Sequence, residues 1–463
     1  MIEFIIVGSA IARRVPLSLD HKDSSYDAPG QTDSADPKPG KKKLIADQLL
    51  PFIKKIFGGL PKVRIEFWDG SYIGDQAGKE CIRVTSPRVM RQLLWSPNEL
   101  GLGRAYVTGD LAVEGDIFRL LELLDAQLPR YVRMTPKEIS ELFVASLKIG
   151  AVGTKPKPPE EEFRPHRRGL HTERRDAKVI RHHYDVSNNF YRLILGETMT
   201  YSCARFTDNN VTLDQAQDSK YDMICAKLGF RERPGLRLLD IGCGWGSMVI
   251  YAAKRYKALA VGITLSEEQA SYAKERVKRL GLEDRVEIRI QDYRSIANER
   301  FDAVSSIGMF EHVGSLRADE YFARIKSLLS PGGRLCNHAI SKPGRSKLGD
   351  KTFANRYVFP DGELQDVGHV VLMMEKAGFE VRDVESLREH YKRTLRCWVN
   401  NLESNYDEAV RLVGEHRARI WRLYMAASAN GFEHNHMSVH QVLGVVPTAD
   451  GKSLMPPTRS IWE

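Results

Sequence analysis

The chain is expected to be an α/β protein. Its larger part is a doubly wound sheet with helical insertions, and a small N-terminal α+β domain precedes it. Three observations predict this. From Leu236 onward, short apolar runs alternate with segments of helical periodicity, which implies parallel βαβ units. The first such run, Leu238-Leu239-Asp240-Ile241, leads directly into Gly242-Cys243-Gly244-Trp245-Gly246, and a buried strand followed by a glycine-rich turn and a helix is where such a sheet takes its ligand. The length of 463 residues suits two to three domains at roughly 150 residues each.

In order, residues 1–40 read as a disordered lead-in, because Pro16 to Gly40 is rich in Ser, Asp, Gly and Pro with little apolar periodicity. A domain over 41–150 follows. Leu44, Ile45, Leu49, Ile53 and Ile56 recur at helical spacing, and Pro51 inside that helix predicts a break or a kink. Val63, Ile65 and Phe67 alternate with charged residues up to Asp69-Gly70, a half-buried strand entering a hairpin. The apolar stretch Ile117 to Leu128 closes this domain as a helix. Residues 151–175 hold Lys155-Pro156-Lys157-Pro158-Pro159, an acidic triplet and Arg164, Arg167, Arg168, Arg174 and Arg175, the composition of an exposed charged linker. The catalytic domain is expected over 176–463. Strands are predicted at Leu236 to Ile241, Ala258 to Thr264, Val286 to Ile290, Phe301 to Ile307 and Gly333 to Ile340, with helices at Gly246 to Tyr256 and Glu267 to Leu280.

Composition excludes several classes. With 42% hydrophobic and 28% charged residues the chain has enough apolar surface to fold. Its longest apolar candidate, Met1 to Ala12, is interrupted by Glu3 and falls short of the ~20 residues that span a bilayer. The same stretch has Arg13 and Arg14 after it and no basic segment before it, a poor secretory signal. The six cysteines form no C-x-x-C pair, so neither a metal site nor a disulfide framework is expected and a cytoplasmic location is. The net charge of +9 suits nucleic acid, anionic lipid or an acidic substrate alike; nucleic acid is set aside because no recognised binding module accompanies the charge.

The sharpest motif is Asp240-Ile241-Gly242-Cys243-Gly244-Trp245-Gly246. Its acid lies on the strand just before the first glycine, whereas a dinucleotide site would put one ~20 residues downstream. The pattern resembles the first motif of S-adenosylmethionine-dependent (class I, Rossmann-like) methyltransferases. The next strand ends at Thr264-Leu265-Ser266, with Thr264 where a ribose-binding acid usually stands, and a third ends at Gln291-Asp292-Tyr293, with Asp292 suited to the adenine amine.

Together with His182-His183-Tyr184-Asp185, Tyr201-Ser202-Cys203-Ala204, Gly308-Met309-Phe310-Glu311-His312-Val313-Gly314 and Tyr357-Val358-Phe359-Pro360, these motifs resemble the cyclopropane-fatty-acyl-phospholipid synthases, from about Lys178 to about Leu443. A looser likeness, including Gly103-Arg104-Ala105-Tyr106, covers Lys41 to Leu128 and points to the two-domain members. The resemblance implies S-adenosylmethionine as methylene donor, held by Tyr184, Tyr201, Ser202, Asp240, Gly242, Gly244, Thr264, Leu265, Gln269, Gln291, Asp292 and Tyr293.

An unactivated alkene methylated by a sulfonium becomes a carbocation that must lose a proton, so a base must stand beside the new methyl. In the resembled family that base is bicarbonate. The residues carried over to hold it are Cys203, Glu311, His338 in Asn337-His338-Ala339-Ile340, and Tyr391 in His390-Tyr391-Lys392. Taken singly, Cys203 is equally a small buried hydrophobe, His338 a satisfied core histidine and Tyr391 a packing anchor. Tyr184, Phe190, Tyr191, Tyr201, Phe206, Phe310 and Trp398 are candidates for an acyl channel whose π faces stabilise the cation, with ordinary core packing as the alternative.

The resemblance implies an unsaturated phospholipid as substrate and peripheral association with the inner face of the membrane, where the basic residues Lys41 to Lys43, Lys54, Lys55 and the linker arginines would meet anionic headgroups. It leaves a homodimer open. The expected product is a cyclopropane acyl chain. The alternatives are a methyltransferase forming a methylene-branched chain and a lipid-binding protein that has lost catalysis.

Overall fold

The structure, a computed structural model, describes residues 5–6, 44–129, 131–163, 187–344, 352–360 and 362–460. The chain divides into two compact units, one from Ile2 to Pro158 and the other from Pro159 to Glu463.

In the first unit a four-stranded sheet has the order Tyr72–Ile73, Arg64–Glu66, Cys81–Val84, Leu111–Glu114. The helix predicted from Leu44 runs as Ile45–Phe57 without a break at Pro51. Its start is held by the hairpin: Asp69 accepts from the Ile45 N–H at 2.9 Å and Ser71 Oγ from the Ala46 N–H at 3.0 Å. Two helix N-terminal donors are thereby satisfied by a turn distant in sequence. Leu49, Phe52, Val63, Ile65, Phe67 and Val84 form the core. Within the expected lead-in, Ile5–Ile6 pairs in parallel with Tyr131–Val132, so part of the apolar run at the start of the chain is ordered as a strand. The rest of 1–40 lies outside the described residues.

The described part of the expected linker, 151–163, is anchored at both ends. Arg91 Nε donates to Ala151 O at 3.2 Å and Trp95 Nε1 to Gly153 O at 3.1 Å, which extends the first unit past residue 150. The Phe163 N–H donates to Arg356 O at 2.7 Å and the Tyr357 hydroxyl to the buried Glu162 carboxylate at 3.1 Å, which brings 159–163 onto the second unit. The linker arginines lie outside the described residues.

The second unit carries a seven-stranded sheet: β1 (Arg237–Ile241), β2 (Leu259–Thr264), β3 (Val286–Ile290), β4 (Phe301–Ile307), β5 (Leu329–Ser341), β6 (Glu380–Ser386) and β7 (Ser438–Val445). Its order is β6-β7-β5-β4-β1-β2-β3, the doubly wound class I methyltransferase arrangement. Alternation along β1 sends Leu239 and Ile241 into one core layer, with Val304, Leu335, Tyr321 and Phe322. Leu238 goes into the opposite layer, with Ile224, Met248, Val249 and Cys336. The sheet is mixed, which the parallel βαβ expectation does not include: β7 pairs antiparallel with both β5 and β6. The reason is the helical insertion after β6, comprising Arg388–Ser404, Tyr406–Val413 and Glu415–Glu433, which returns the chain in the opposite direction to a gap between two strands already laid down.

Candidate active site

The parallel strands β1 to β4 end on one edge of the sheet, and a pocket opens there. Asp240, at the end of β1, accepts from Ser305 Oγ at 2.6 Å. Burial pushes its carboxyl up to about 6, while Ser305 and Lys220 pull it back. The turn after it is stitched to β2, the N–H groups of Gly242 and Cys243 both donating to Ile263 O, at 3.0 and 2.9 Å. Gly244 adopts φ +54° and Gly246 φ +82°, left-handed values that a residue with a Cβ takes at a cost. At Gly246 a Cβ would also lie 3.1 Å from that of Ala273.

Of the residues expected to hold the cofactor, Tyr201, Ser202, Asp240, Gly242, Gly244, Thr264, Leu265, Gln269, Gln291, Asp292 and Tyr293 all line this one pocket. Tyr184 and its motif lie outside the described residues. Thr264 has a local partner, its hydroxyl donating to Gln269 Oε1 at 2.9 Å. Asp292 also differs from a free carboxylate: Arg294 grips it with Nε at 2.9 Å and Nη2 at 2.7 Å. A bidentate partner of this kind fixes the carboxylate in plane.

Other residues of the site were not among those expected to hold the cofactor. Met309 and His312, both in the Gly308 to Gly314 motif, and Arg317 line the pocket. Helix Leu213–Lys227 clamps the Tyr201-Ser202-Cys203 segment twice, Gln217 Nε2 donating to Ser202 O and Lys220 Nζ to Ser202 Oγ, both at 2.9 Å. Lys220 is fully buried, its Nζ 3.9 Å from the Tyr221 ring centre. Burial pulls its pKa down to about 7 against the opposing pull of Cys203 and Asp240. The signal was available in part: Ala216, Gln217, Lys220 and Ile224 share one helical face, and on a buried face a lysine calls for a partner.

The four residues carried over to a base pocket fall at two places. Glu311 reaches the C-terminal end of β5, the strand that carries His338, and its Oε1 accepts there from the Ile340 N–H at 2.6 Å. Burial pushes the Glu311 carboxyl up to about 7, opposed by that N–H. Burial also holds His338 well below the usual histidine range, and hence neutral. Cys203 lies against the start of the helix that carries Tyr391: its Sγ is 3.6 Å from Leu387 O, which accepts from the backbone N–H of Tyr391 at 3.0 Å. Burial pushes the Cys203 thiol up, so it stays protonated and a donor. Among the described residues, Glu311 Oε2, His338 Nε2 and Trp398 Nε1 are buried with no hydrogen-bond partner. Such orphaned polar atoms fit a small polar guest, and the chemistry of the set, neutral donors around one carboxyl, fits bicarbonate.

An aromatic cluster adjoins Tyr391. The Tyr201 ring centre is 5.3 Å from Trp398, 5.7 Å from Trp421 and 6.0 Å from Tyr191, and it stacks on Phe359 at 6.3 Å. Phe190 joins through Trp421 at 5.9 Å, and Tyr391 through Trp398 at 6.1 Å. Two of the expected channel residues pack elsewhere. Phe310 belongs to the core with Phe322 at 5.2 Å, and Phe206 lies under the Arg393 guanidinium at 4.0 Å.

Comparison with known proteins identifies relatives of the chain. Residues 171–442 match the family model described as mycolic acid cyclopropane synthetase. A probable fatty acid methyltransferase of Mycobacterium tuberculosis is 42% identical over 416 residues, 88% of this chain and 96% of the relative. The cyclopropane-fatty-acyl-phospholipid synthase of Escherichia coli K12 is 32% identical over 366 residues, 78% of this chain and 87% of the relative. Among solved structures, the mycolic acid cyclopropane synthase CmaA1 complexed with SAH and CTAB superposes with a TM-score of 0.55 at 32% identity, covering 58% of this chain and 97% of that one. With a family model spanning more than half of the chain and a 42% identical relative covering 88% of it, the chain belongs to the cyclopropane synthetase family of S-adenosylmethionine-dependent methyltransferases.

Proposed function

We propose that the chain methylates the cis double bond of an unsaturated fatty acyl chain, presented as a phospholipid. The observation that carries this is the adjacency of the nucleoside-sized pocket at the β1–β4 ends to a buried aromatic cluster, with Tyr201 and Ser202 at their shared wall. Fatty acyl methylation is the reading that the name of the 42% relative supports. Phospholipid presentation is supported by the 32% relative, whose match extends into the N-terminal unit.

S-adenosylmethionine supplies an electrophilic methyl group, and bicarbonate supplies a base. The residues of this chain arrange the rest. Gly242 and Gly244 let the backbone close on the cofactor, and Gln269, Gln291 and Asp292 offer polar atoms to its nucleoside. Tyr201, Trp398, Trp421 and Tyr424, whose ring centre lies 6.1 Å from that of Trp421, offer π faces to the acyl chain and stabilise positive charge. Cys203, His338 and Tyr391 donate to the base, and Glu311, with Ile340 N–H on one oxygen, offers Oε2 to accept the base's own hydroxyl.

A second reading concerns the product, and the burial of both Glu311 and His338 favours it: a base held beside the cation removes a methyl proton before a hydride can migrate, closing a cyclopropane. Lipids from a host expressing the chain are analysed by mass spectrometry and proton NMR. A mass gain of one methylene on unsaturated chains supports acyl methylation, and unchanged lipids sink it. Upfield ring-methylene signals support ring closure; vinylidene or branched-methyl signals alone assign the broader methyltransferase activity instead.

A further inference from the structure

The antiparallel return of β7 sets Gln441 directly opposite His338 on β5. Both side chains are fully buried, and Gln441 Nε2 lies 3.2 Å from His338 Nδ1. The other ring nitrogen, Nε2, is buried with no partner among the described residues, as is Gln441 Oε1. We propose that Gln441 is a positioning residue that donates to His338 Nδ1 and so holds the ring as the tautomer carrying its proton on Nε2, making it a donor into the base pocket. The inference rests on the base-pocket reading above.

The argument is one of valence. A neutral imidazole has one N–H and one lone pair, and whichever nitrogen accepts a hydrogen bond forces the proton onto the other. An amide N–H donated to Nδ1 therefore puts the proton on Nε2. An oxyanion in the pocket needs that donor, since a lone pair there would repel it. With the amide turned the other way, Oε1 would take the proton of Nδ1 and leave Nε2 a bare acceptor. Burial favours the neutral ring in either case. The strand insertion that makes the sheet mixed thus has a chemical consequence: without β7 beside β5, nothing would set this tautomer.

The test is nitrogen NMR of enzyme labelled with 15N-histidine, the His338 signals being identified by their loss in His338→Gln. Wild-type enzyme with the proton on Nε2 and none on Nδ1 supports the proposal; a proton on Nδ1 overturns it, and this measurement needs no variant of Gln441 to fold. In Gln441→Glu the carboxylate should draw the proton to Nδ1. In Gln441→Leu the bicarbonate concentration for half-maximal turnover on vesicles of cis-unsaturated phospholipid should rise roughly ten- to a hundredfold, the usual cost of losing an orienting partner, with S-adenosylmethionine affinity by calorimetry unchanged. Wild-type turnover and tautomer in Gln441→Leu overturn the proposal. If turnover of the wild type needs no bicarbonate, the base reading falls on its own, while the tautomer measurement still decides the role of Gln441.

Discussion

Glu311 is a carboxyl with one oxygen on a backbone N–H and the other buried without a partner. Its pKa, raised by burial to about 7, has a thermodynamic counterpart. The folded protein keeps a proton that the unfolded chain releases near the ordinary glutamate value, so the stability this proton contributes is full below about pH 4.5 and is lost as pH rises through about 7. The shift bounds the effect at about 3 kcal/mol. Glu311→Gln removes the titration while keeping an acceptor for the Ile340 N–H. Urea unfolding in carbonate-depleted buffer should show the variant gaining about 2 kcal/mol on the wild type between pH 5 and pH 8, and parallel profiles would show that this carboxyl titrates normally. The sequence pointed to Glu311 through its motif. It did not point to Lys220 or Gln441, because a lysine on a helix and a glutamine on a strand read as solvent-facing until tertiary packing shows what covers them.

At the scale of elements, the proposed cofactor site is made by strand ends and the turn after β1. Asp240→Ala removes the group that binds Ser305 and faces the pocket. Gly244→Val forces a β-branched residue into φ +54°, although the nearest atom to an added Cβ is as far as 4.0 Å. The damage at Gly244 is therefore conformational and local, of order 1–2 kcal/mol per residue in that region. Both variants should lose S-adenosylmethionine binding by calorimetry while the first unit stays folded by hydrogen exchange; normal binding in either variant would move the site elsewhere. The strands lining this site were legible because each is a short apolar run bounded by Gly, Asp or Ser, and their ends agree with the expected ones to within a residue or two, apart from the longer β5. What was illegible was β6 and β7. Their pairing joins residues across a long helical insertion, so no local pattern carries it, and with it the mixed sheet and the Gln441–His338 register stayed hidden. The two-residue strands of the first unit were hidden for the opposite reason, being too short for alternation to show.

At the scale of the whole molecule, each unit has its own core, one around Leu49, Phe52 and Ile65 and the other on both faces of the large sheet. Independent cores allow the two to be separated. The division falls at Pro158–Pro159, and a chain beginning there keeps Glu162 on the Tyr357 hydroxyl, whereas one beginning at Asp176 would strip that partner from a buried group. All described residues lining the proposed cofactor pocket lie after Pro159, so the shortened chain should bind S-adenosylmethionine with unchanged affinity. Lipid contact is a different matter. The first unit exposes Phe143, Val144 and Leu147 on the helix Pro136–Lys148, an apolar group followed at once by Lys148, as suits a surface that meets both acyl chains and anionic headgroups. Lys55, by contrast, is ion-paired with Glu138 and less available to a headgroup. The shortened chain should therefore lose most of its turnover on anionic vesicles, and the full chain carrying Phe143→Ser and Leu147→Ser should lose vesicle binding in sedimentation while its cofactor affinity stays the same. Undiminished turnover of the shortened chain on vesicles would show that the first unit serves something other than the lipid surface.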